Sequence, residues 1–221
     1  NRLSTVGGGF SAQIGGIAKF SKMIRVGASF ETPTWYYIRE ETSQRLETFS
    51  DVDGRTVVNP DVINIFPEYR LRTPGKATGS IAFLFKKQGL ISIDYSYKDH
   101  TTTKLSSDEG ADFSALNTEI DNTLQGASTI RIGTEWRNGN WSFRGGYSYE
   151  ESPYKNTAIL DDKTGYSIGG GYNFGKYKFD VTYNQTSQKR SETFYPNSGF
   201  GNTALIDTDT HSLTFTLGLN F

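Results

Sequence analysis

Trp141-Ser142-Phe143-Arg144-Gly145-Gly146-Tyr147-Ser148-Tyr149-Glu150 alternates without a slip. Trp141, Phe143, Gly145, Tyr147 and Tyr149 fall on one side, Ser142, Arg144, Gly146, Ser148 and Glu150 on the other. A period of two marks a strand whose faces meet different surroundings. The pattern recurs on both sides of this stretch. Residues 177–184 set Tyr177, Phe179, Val181 and Tyr183 against Lys178, Asp180, Thr182 and Asn184. Residues 90–98 set Ile91, Ile93, Tyr95 and Tyr97 against Ser92, Asp94, Ser96 and Lys98. Residues 212–221 end on Leu213, Phe215, Leu217, Leu219 and Phe221, all on one side. Runs of the same kind occupy 24–30, 79–85, 129–136 and 166–174, and a glycine-rich one covers 5–18. The sequence therefore predicts nine strands.

Composition narrows what such strands build. Of the 221 residues, 23 are Lys or Arg and 24 are Asp or Glu, a formal charge of −1 that offers nucleic acid no electrostatic footprint. With no cysteine and two histidines, disulfides, thiolate metal sites, thiol nucleophiles and a three-histidine metal site are all excluded. Hydrophobic residues make up 35% of the chain, below the roughly 45–50% usual for a globular domain. Aromatics reach 14% and there are 24 glycines, which is not the composition of disorder. The longest purely aliphatic or aromatic run is 81–85, far short of the about 20 residues a spanning helix needs.

The connections alternate in length. Short turns lie near 20–22, 86–90, 137–140 and 175–176, with Asn138-Gly139 a hairpin signal. Long polar segments fill 40–65, 104–125, 151–163 and 186–208. Short turns at one end and long loops at the other suit a transmembrane β-barrel. A soluble up-and-down barrel of the lipocalin type also alternates. Aromatic placement separates the two. Phe85, Trp136, Trp141, Tyr172, Phe174, Tyr177 and Phe221 lie toward the short turns, while Trp35, Tyr36, Tyr37, Tyr95, Tyr97, Tyr149, Tyr154, Tyr166 and Tyr183 lie toward the long loops. Two girdles are what two water–lipid interfaces select. A terminal Phe221 resembles the assembly signal of bacterial outer-membrane proteins. The expected fold is all-β, a transmembrane antiparallel β-barrel in the bacterial outer membrane. Nine antiparallel strands cannot close without a parallel seam, so further strands of the same polypeptide are expected to complete it.

Several stretches resemble the C-terminal half of FadL-like outer-membrane transporters. They are Thr32-Pro33-Thr34-Trp35-Tyr36, the run from Tyr69-Arg70-Leu71-Arg72-Thr73-Pro74-Gly75-Lys76 to Ser80, Gly89-Leu90-Ile91-Ser92-Ile93-Asp94-Tyr95, Arg131-Ile132-Gly133-Thr134-Glu135-Trp136, and Arg144 through Tyr154. The two Thr-Pro motifs are the most specific. The resemblance covers about 5–221 and implies a 14-stranded barrel with an N-terminal hatch, so that residues 1–221 form the C-terminal part of one barrel domain, with the hatch and first strands outside this chain. It also implies passive uptake of small hydrophobic molecules such as long-chain fatty acids or aromatic hydrocarbons. The alternative is a barrel of this fold serving as a structural or assembly subunit of an outer-membrane complex, without transport. The implied partners are outer-membrane lipids, lipopolysaccharide, a hydrophobic substrate and other outer-membrane proteins. No enzyme activity and no cofactor are implied.

Candidate residues follow from the faces. Pro33 and Pro74-Gly75 interrupt strands, as expected at a strand end or a bulge. Arg70, Arg72 and Lys76 beside the second break are candidates to meet a carboxylate head group. Arg25, Glu31, Asp94, Lys98, Arg131, Glu135, Arg144, Glu150, Lys178 and Asp180 are expected to line the interior as a solvated ion-pair ladder, with Asp94, Arg131 and Arg144 candidates for a polar conduit. Phe113, Leu116, Ile120 and Leu124 sit at helical spacing, with Asp112 as N-cap, and the first three form a candidate landing surface for substrate. His100 shares a face with Ser96 and Lys98, but no acid is placed to complete a hydrolase site. Asp108/Glu109 and Asp161/Asp162 read first as solvated loop charge and second as cation or lipopolysaccharide bridges. The glycine runs at 7–9 and 169–171 lack the lysine and helix of a phosphate cradle and suit strands that bend.

Overall fold

The computed structural model describes residues 2–52, 54–193 and 203–219. In chain order the strands are β1 (Arg2–Phe10), β2 (Gln13–Lys19), β3 (Ile24–Glu31), β4 (Trp35–Ser43), β5 (Leu46–Ser50), β6 (Gly54–Val58), β7 (Ile63–Ile65), β8 (Tyr69–Arg72), β9 (Lys76–Phe85), β10 (Gly89–Asp99) and β11 (Lys104–Ser106). Then come helix α1 (Ser114–Thr123), β12 (Gly126–Asn138), β13 (Trp141–Glu150), β14 (Lys163–Asn173), β15 (Tyr177–Thr193) and β16 (Thr203–Leu219). Two compact units divide the chain. The smaller takes Asn1–Ala12, Thr32–Pro74 and Thr102–Asn122, and the larger takes the rest.

The larger unit is one antiparallel sheet of nine strands in the order β16-β15-β14-β13-β12-β10-β9-β3-β2, open at β16 and β2 among the described residues. Eight of these are strands that the alternation marks out, while the single strand expected over 5–18 is corrected: it breaks at Ser11-Ala12 into β1, which belongs to the smaller unit, and β2, which edges this sheet. Its register places all ten expected interior charges, from Arg25 to Asp180, on the same face. The other face stays greasy and exposed: Ile168, Phe215 and Leu217 are each more than 60% accessible. Ala127 is the one buried hydrophobic residue among those described, so the unit has no dry apolar core. Phe85 stacks on Trp136 at 5.3 Å, and Trp141, Tyr172 and Phe174 form an edge-to-face chain at 4.8 and 4.6 Å beside the short turns. The expected terminal signal at Phe221 lies outside the described residues.

The greasy band runs obliquely across this sheet. A single line of ladder partners joins Ile24, Phe83, Ile91, Thr134, Gly145, Ile168, Tyr183 and Leu213. Ile24 is the apolar residue of its strand nearest the short turn. Leu213 is the last of its apolar run before His211 and Asp209, and Leu219, six residues on, pairs with Tyr177 at the level of the short turn. A drift of six residues, about 20 Å, over seven ladders, about 34 Å, inclines the band by roughly 30° to the rungs.

Local chemistry accounts for the turns and breaks. Gly139 has φ +57° and, with Asn140, forms the loop between the paired Asn138 and Trp141. The hairpin's central pair is thus Gly139-Asn140, one residue later than the Asn-Gly signal suggests, with glycine at the first central position. Pro33 and Pro74 fall in the gaps between β3 and β4 and between β8 and β9, so they end strands rather than bulge them. In the smaller unit the amide of Thr73 donates to the Thr34 carbonyl (3.0 Å), and that of Thr34 to the Thr73 hydroxyl (3.3 Å).

The smaller unit corrects one expectation. Segment 40–65 carries part of β4, the β5–β6 hairpin and β7, where a polar loop was expected. Its main sheet has the order β1-β4-β8-β11, with β7 also on β4. Strands β15 and β16 likewise extend into 186–208, so that His211 lies within β16 instead of starting it.

Candidate functional site

Three groupings carry the chemistry, two in the larger unit and one in the smaller. The first centres on Arg144. Its Nε donates to Glu135 on the neighbouring strand (2.6 Å), and its Nη1 reaches past β14 to Asp180 (2.6 Å). Lys178 lies 3.2 Å from the same Asp180, and Arg137 binds Glu135 at 2.6 Å. The crossing is possible because Gly171 lies between. A Cβ there would sit 2.1 Å from the Asp180 carboxylate and 2.7 Å from the Ser142 hydroxyl. Every charged group of this network has a partner within it.

The second grouping lies higher on the same face. Asp94 and Arg131 are direct ladder partners, as are Lys76 and Lys98. Lys76 also pairs with Glu31 at 3.0 Å. A polar cavity of about 170 Å³ is lined by Lys76, Ser96, Lys98, His100, Arg131 and Glu150 among others. Burial holds the His100 imidazole below its usual pKa, and the Lys98 charge adds to that. The His100 side chain makes no hydrogen bond to a serine among the described residues, while His211 meets the Tyr183 hydroxyl at 2.8 Å on the greasy face. Beside this cavity lies an open trough of about 660 Å³, floored by small residues such as Gly15, Gly27, Ser80 and Ser92 and bordered by Ile17, Arg25 and Asp94. The small side chains leave the space.

The third grouping is the β4–β8–β11 part of the smaller unit. Arg70 binds Asp108, and Arg72 lies between Trp35 and Lys104 on the ladder. Phe113 packs on Tyr69 with ring centroids 5.5 Å apart, and the Asn117 amide brackets Leu105 with two 2.9 Å bonds. Of the three landing-surface candidates, Leu116 is exposed, whereas Phe113 and Ile120 are half-buried. Asp112 caps α1 from one position further out than expected. Its carboxylate accepts the Ser114 amide (2.8 Å), which lowers its pKa, while the Phe113 carbonyl accepts the first helical bond, from Asn117.

The acidic pairs are largely spent within the chain. Asp108 holds Arg70, and Glu109 accepts the Glu68 amide. Asp162 accepts the Tyr149 hydroxyl and the Ser152 amide, and Asp161 accepts the Asp162 amide. Sequence reasoning singled out Arg70 and Arg72 but missed Lys104, whose proximity to Arg72 depends on a ladder between residues 32 positions apart.

Comparison with solved structures identifies the architecture. The chain is similar to the Ralstonia pickettii toluene transporter TbuX, with 14% identity and a TM-score of 0.51 over 94% of this chain and 46% of that one. It also matches the Pseudomonas putida toluene transporter TodX (15% identity, TM-score 0.45, 95% and 48% covered). A Pseudomonas aeruginosa FadL homologue matches at 13% identity and TM-score 0.46, with 97% and 67% covered. The chain spans about half the length of the two toluene transporters. No family model and no curated protein matches the sequence. The likeness to TbuX speaks to fold alone, the antiparallel architecture of an outer-membrane β-barrel.

Proposed function

We propose that this chain is the C-terminal part of a single outer-membrane β-barrel domain through which small hydrophobic molecules pass without energy coupling. The observation that carries the reading is the oblique greasy band. Water would not leave Ile168, Phe215 and Leu217 exposed in one continuous belt on a unit with no apolar core. A belt inclined by about 30° to its rungs becomes level when the strands tilt by that angle, close to the about 35–45° of outer-membrane barrels. Along β13 the belt from Trp141 to Tyr149 rises eight residues, about 27 Å of chain, against an apolar band about 25 Å tall.

The opposite face then borders the passage. Its small-residue trough gives a hydrophobic molecule room, and its paired charges cancel rather than select an ion. Aromatic hydrocarbons are the expected cargo by analogy with the toluene transporter TbuX, and long-chain fatty acids by the resemblance of the sequence to FadL-like transporters. Lipids of the outer membrane surround the belt.

The test is uptake by lipid vesicles carrying the complete polypeptide, with a labelled long-chain fatty acid and toluene as probes. Flux above that of empty vesicles supports passage. Flux equal to that of empty vesicles, with the barrel folded, removes it. An assembly role is favoured by the β5–β6 hairpin, where Phe49 and Val52 are more than 80% exposed. Polar substitution of those two residues would then release a co-purifying outer-membrane protein and leave flux intact.

A further inference from the structure

One face of the smaller unit holds cations that its ion pairs leave over. The rung Phe10, Trp35, Arg72, Lys104 presents in turn, on four adjacent strands, an apolar ring, an indole, a guanidinium and an ammonium. The next rung places Tyr37 beside Arg70. All of these side chains are accessible to some degree, with Phe10 at 68%, Tyr37 at 63% and Trp35 at 42%. Phe113, just ahead of helix α1, packs on Tyr69, which alternation turns to the opposite face, and Arg72 and Lys104 are exposed. Arg39 is held by Glu68 and Arg70 by Asp108. Arg72 and Lys104 have no carboxylate within ion-pair distance among the described residues. Like charges directly opposite on a ladder repel, so a pair kept that way is poised for an anion.

We propose that this rung binds the phosphorylated sugar end of an outer-leaflet glycolipid. The phosphate sits on Arg72 and Lys104, the sugar ring lies on Trp35 and Tyr37, and an acyl chain runs over Phe10. The order of polarity along the rung matches the order of parts in such a lipid. A carboxylate is satisfied by the fork of one arginine, whereas a phosphate monoester brings enough charge and oxygens for two cations about 5 Å apart on neighbouring strands. The pyranose C–H face stacks on an indole as apolar surface. The inference rests on the outer-membrane placement, though not on transport.

The test uses the complete polypeptide in detergent micelles and measures binding of fluorescent bisphosphorylated lipid A, the same lipid stripped of phosphate, inorganic phosphate and palmitate. For the double variant Arg72→Gln, Lys104→Gln, the Kd for the phosphorylated lipid should rise about tenfold or more, the cost of at least one charge-assisted hydrogen bond. Arg72→Lys should retain binding, and Lys176→Gln, on a turn of the other unit, should change nothing. Stripped lipid should bind wild type no better than phosphorylated lipid binds the double variant. An unchanged Kd in the double variant, with a folded barrel by heat-modified gel mobility, overturns the proposal. Competition by inorganic phosphate at equal strength reduces the site to a general oxyanion site, and competition by palmitate assigns it to carboxylates; either outcome removes the glycolipid. Lost flux with glycolipid binding intact would defeat the transport reading alone.

Discussion

Arg144 and Arg72 are both strand arginines, and they live in opposite circumstances. Arg144 is spanned by two carboxylates, with Lys178 and Arg137 closing the network, and all three core members are largely covered. Arg72 faces Lys104 and Trp35 with no acid in reach among the described residues. A charge enclosed by partners holds strands in register; a charge left facing another of its kind is kept for something that arrives later. The first should therefore show itself in stability and the second in binding.

The largest effect belongs to Arg144→Ala. It leaves Glu135 to Arg137 alone and Asp180 to Lys178 alone, and losing the guanidinium that joins two largely covered carboxylates should cost about 2–3 kcal/mol in urea unfolding from micelles. An unchanged midpoint would mean water already screens the network. Gly171→Ala attacks the same network without touching a charge. A methyl 2.1 Å from the Asp180 oxygen forces the carboxylate aside, for about 1–2 kcal/mol, and Gly170→Ala, with open space around its Cβ position, should be close to silent. Leu116→Asp should lower hydrocarbon uptake in vesicles with no loss of unfolding midpoint, because the side chain is already exposed; unchanged uptake would end its role as a landing point. Arg72→Gln should move stability by no more than about 0.5 kcal/mol, and upward if at all, since it relieves a like-charge pair.

The smallest effect concerns pH. A histidine whose folded pKa is depressed contributes stability in full above its ordinary value of about 6.5, and that contribution fades as pH falls through the lower folded value. The acid limb of the unfolding midpoint should therefore flatten in His100→Gln. An identical pH profile would show that the imidazole is not titrating in that range.

How legible each part was in the sequence depends on how local its cause is. Eight of the nine expected strands were visible because alternation needs only a few neighbours to declare itself, as at 141–150, while the glycine-rich 5–18 gave no sign of the break at Ser11-Ala12 that divides it into β1 and β2. The ten interior charges followed at once, because a strand's face is fixed by parity. The β4–β8 region resisted, since Pro33 and Pro74 chop its strands and 40–65 mixes polar and apolar residues without a period. Arg72 was readable as a candidate, but Lys104 became its neighbour only through a ladder closed by the chain's return. Gly171 was hidden for a different reason. A glycine's missing side chain gains meaning only once the groups that need the gap, here Arg144 and Asp180, are in place.

The slant of the greasy belt has a consequence for how these strands find their alignment. Slipping one hairpin by two residues preserves parity and nearly all backbone pairing, so hydrogen bonds alone punish the error weakly. In lipid the same slip lifts or sinks that hairpin's tyrosines and leucines by about 7 Å relative to its neighbours. A polar ring from the stretch above, such as that of His211, would be dragged into hydrocarbon. The bilayer would thus act as a proofreader, rejecting threadings that the sheet by itself would tolerate.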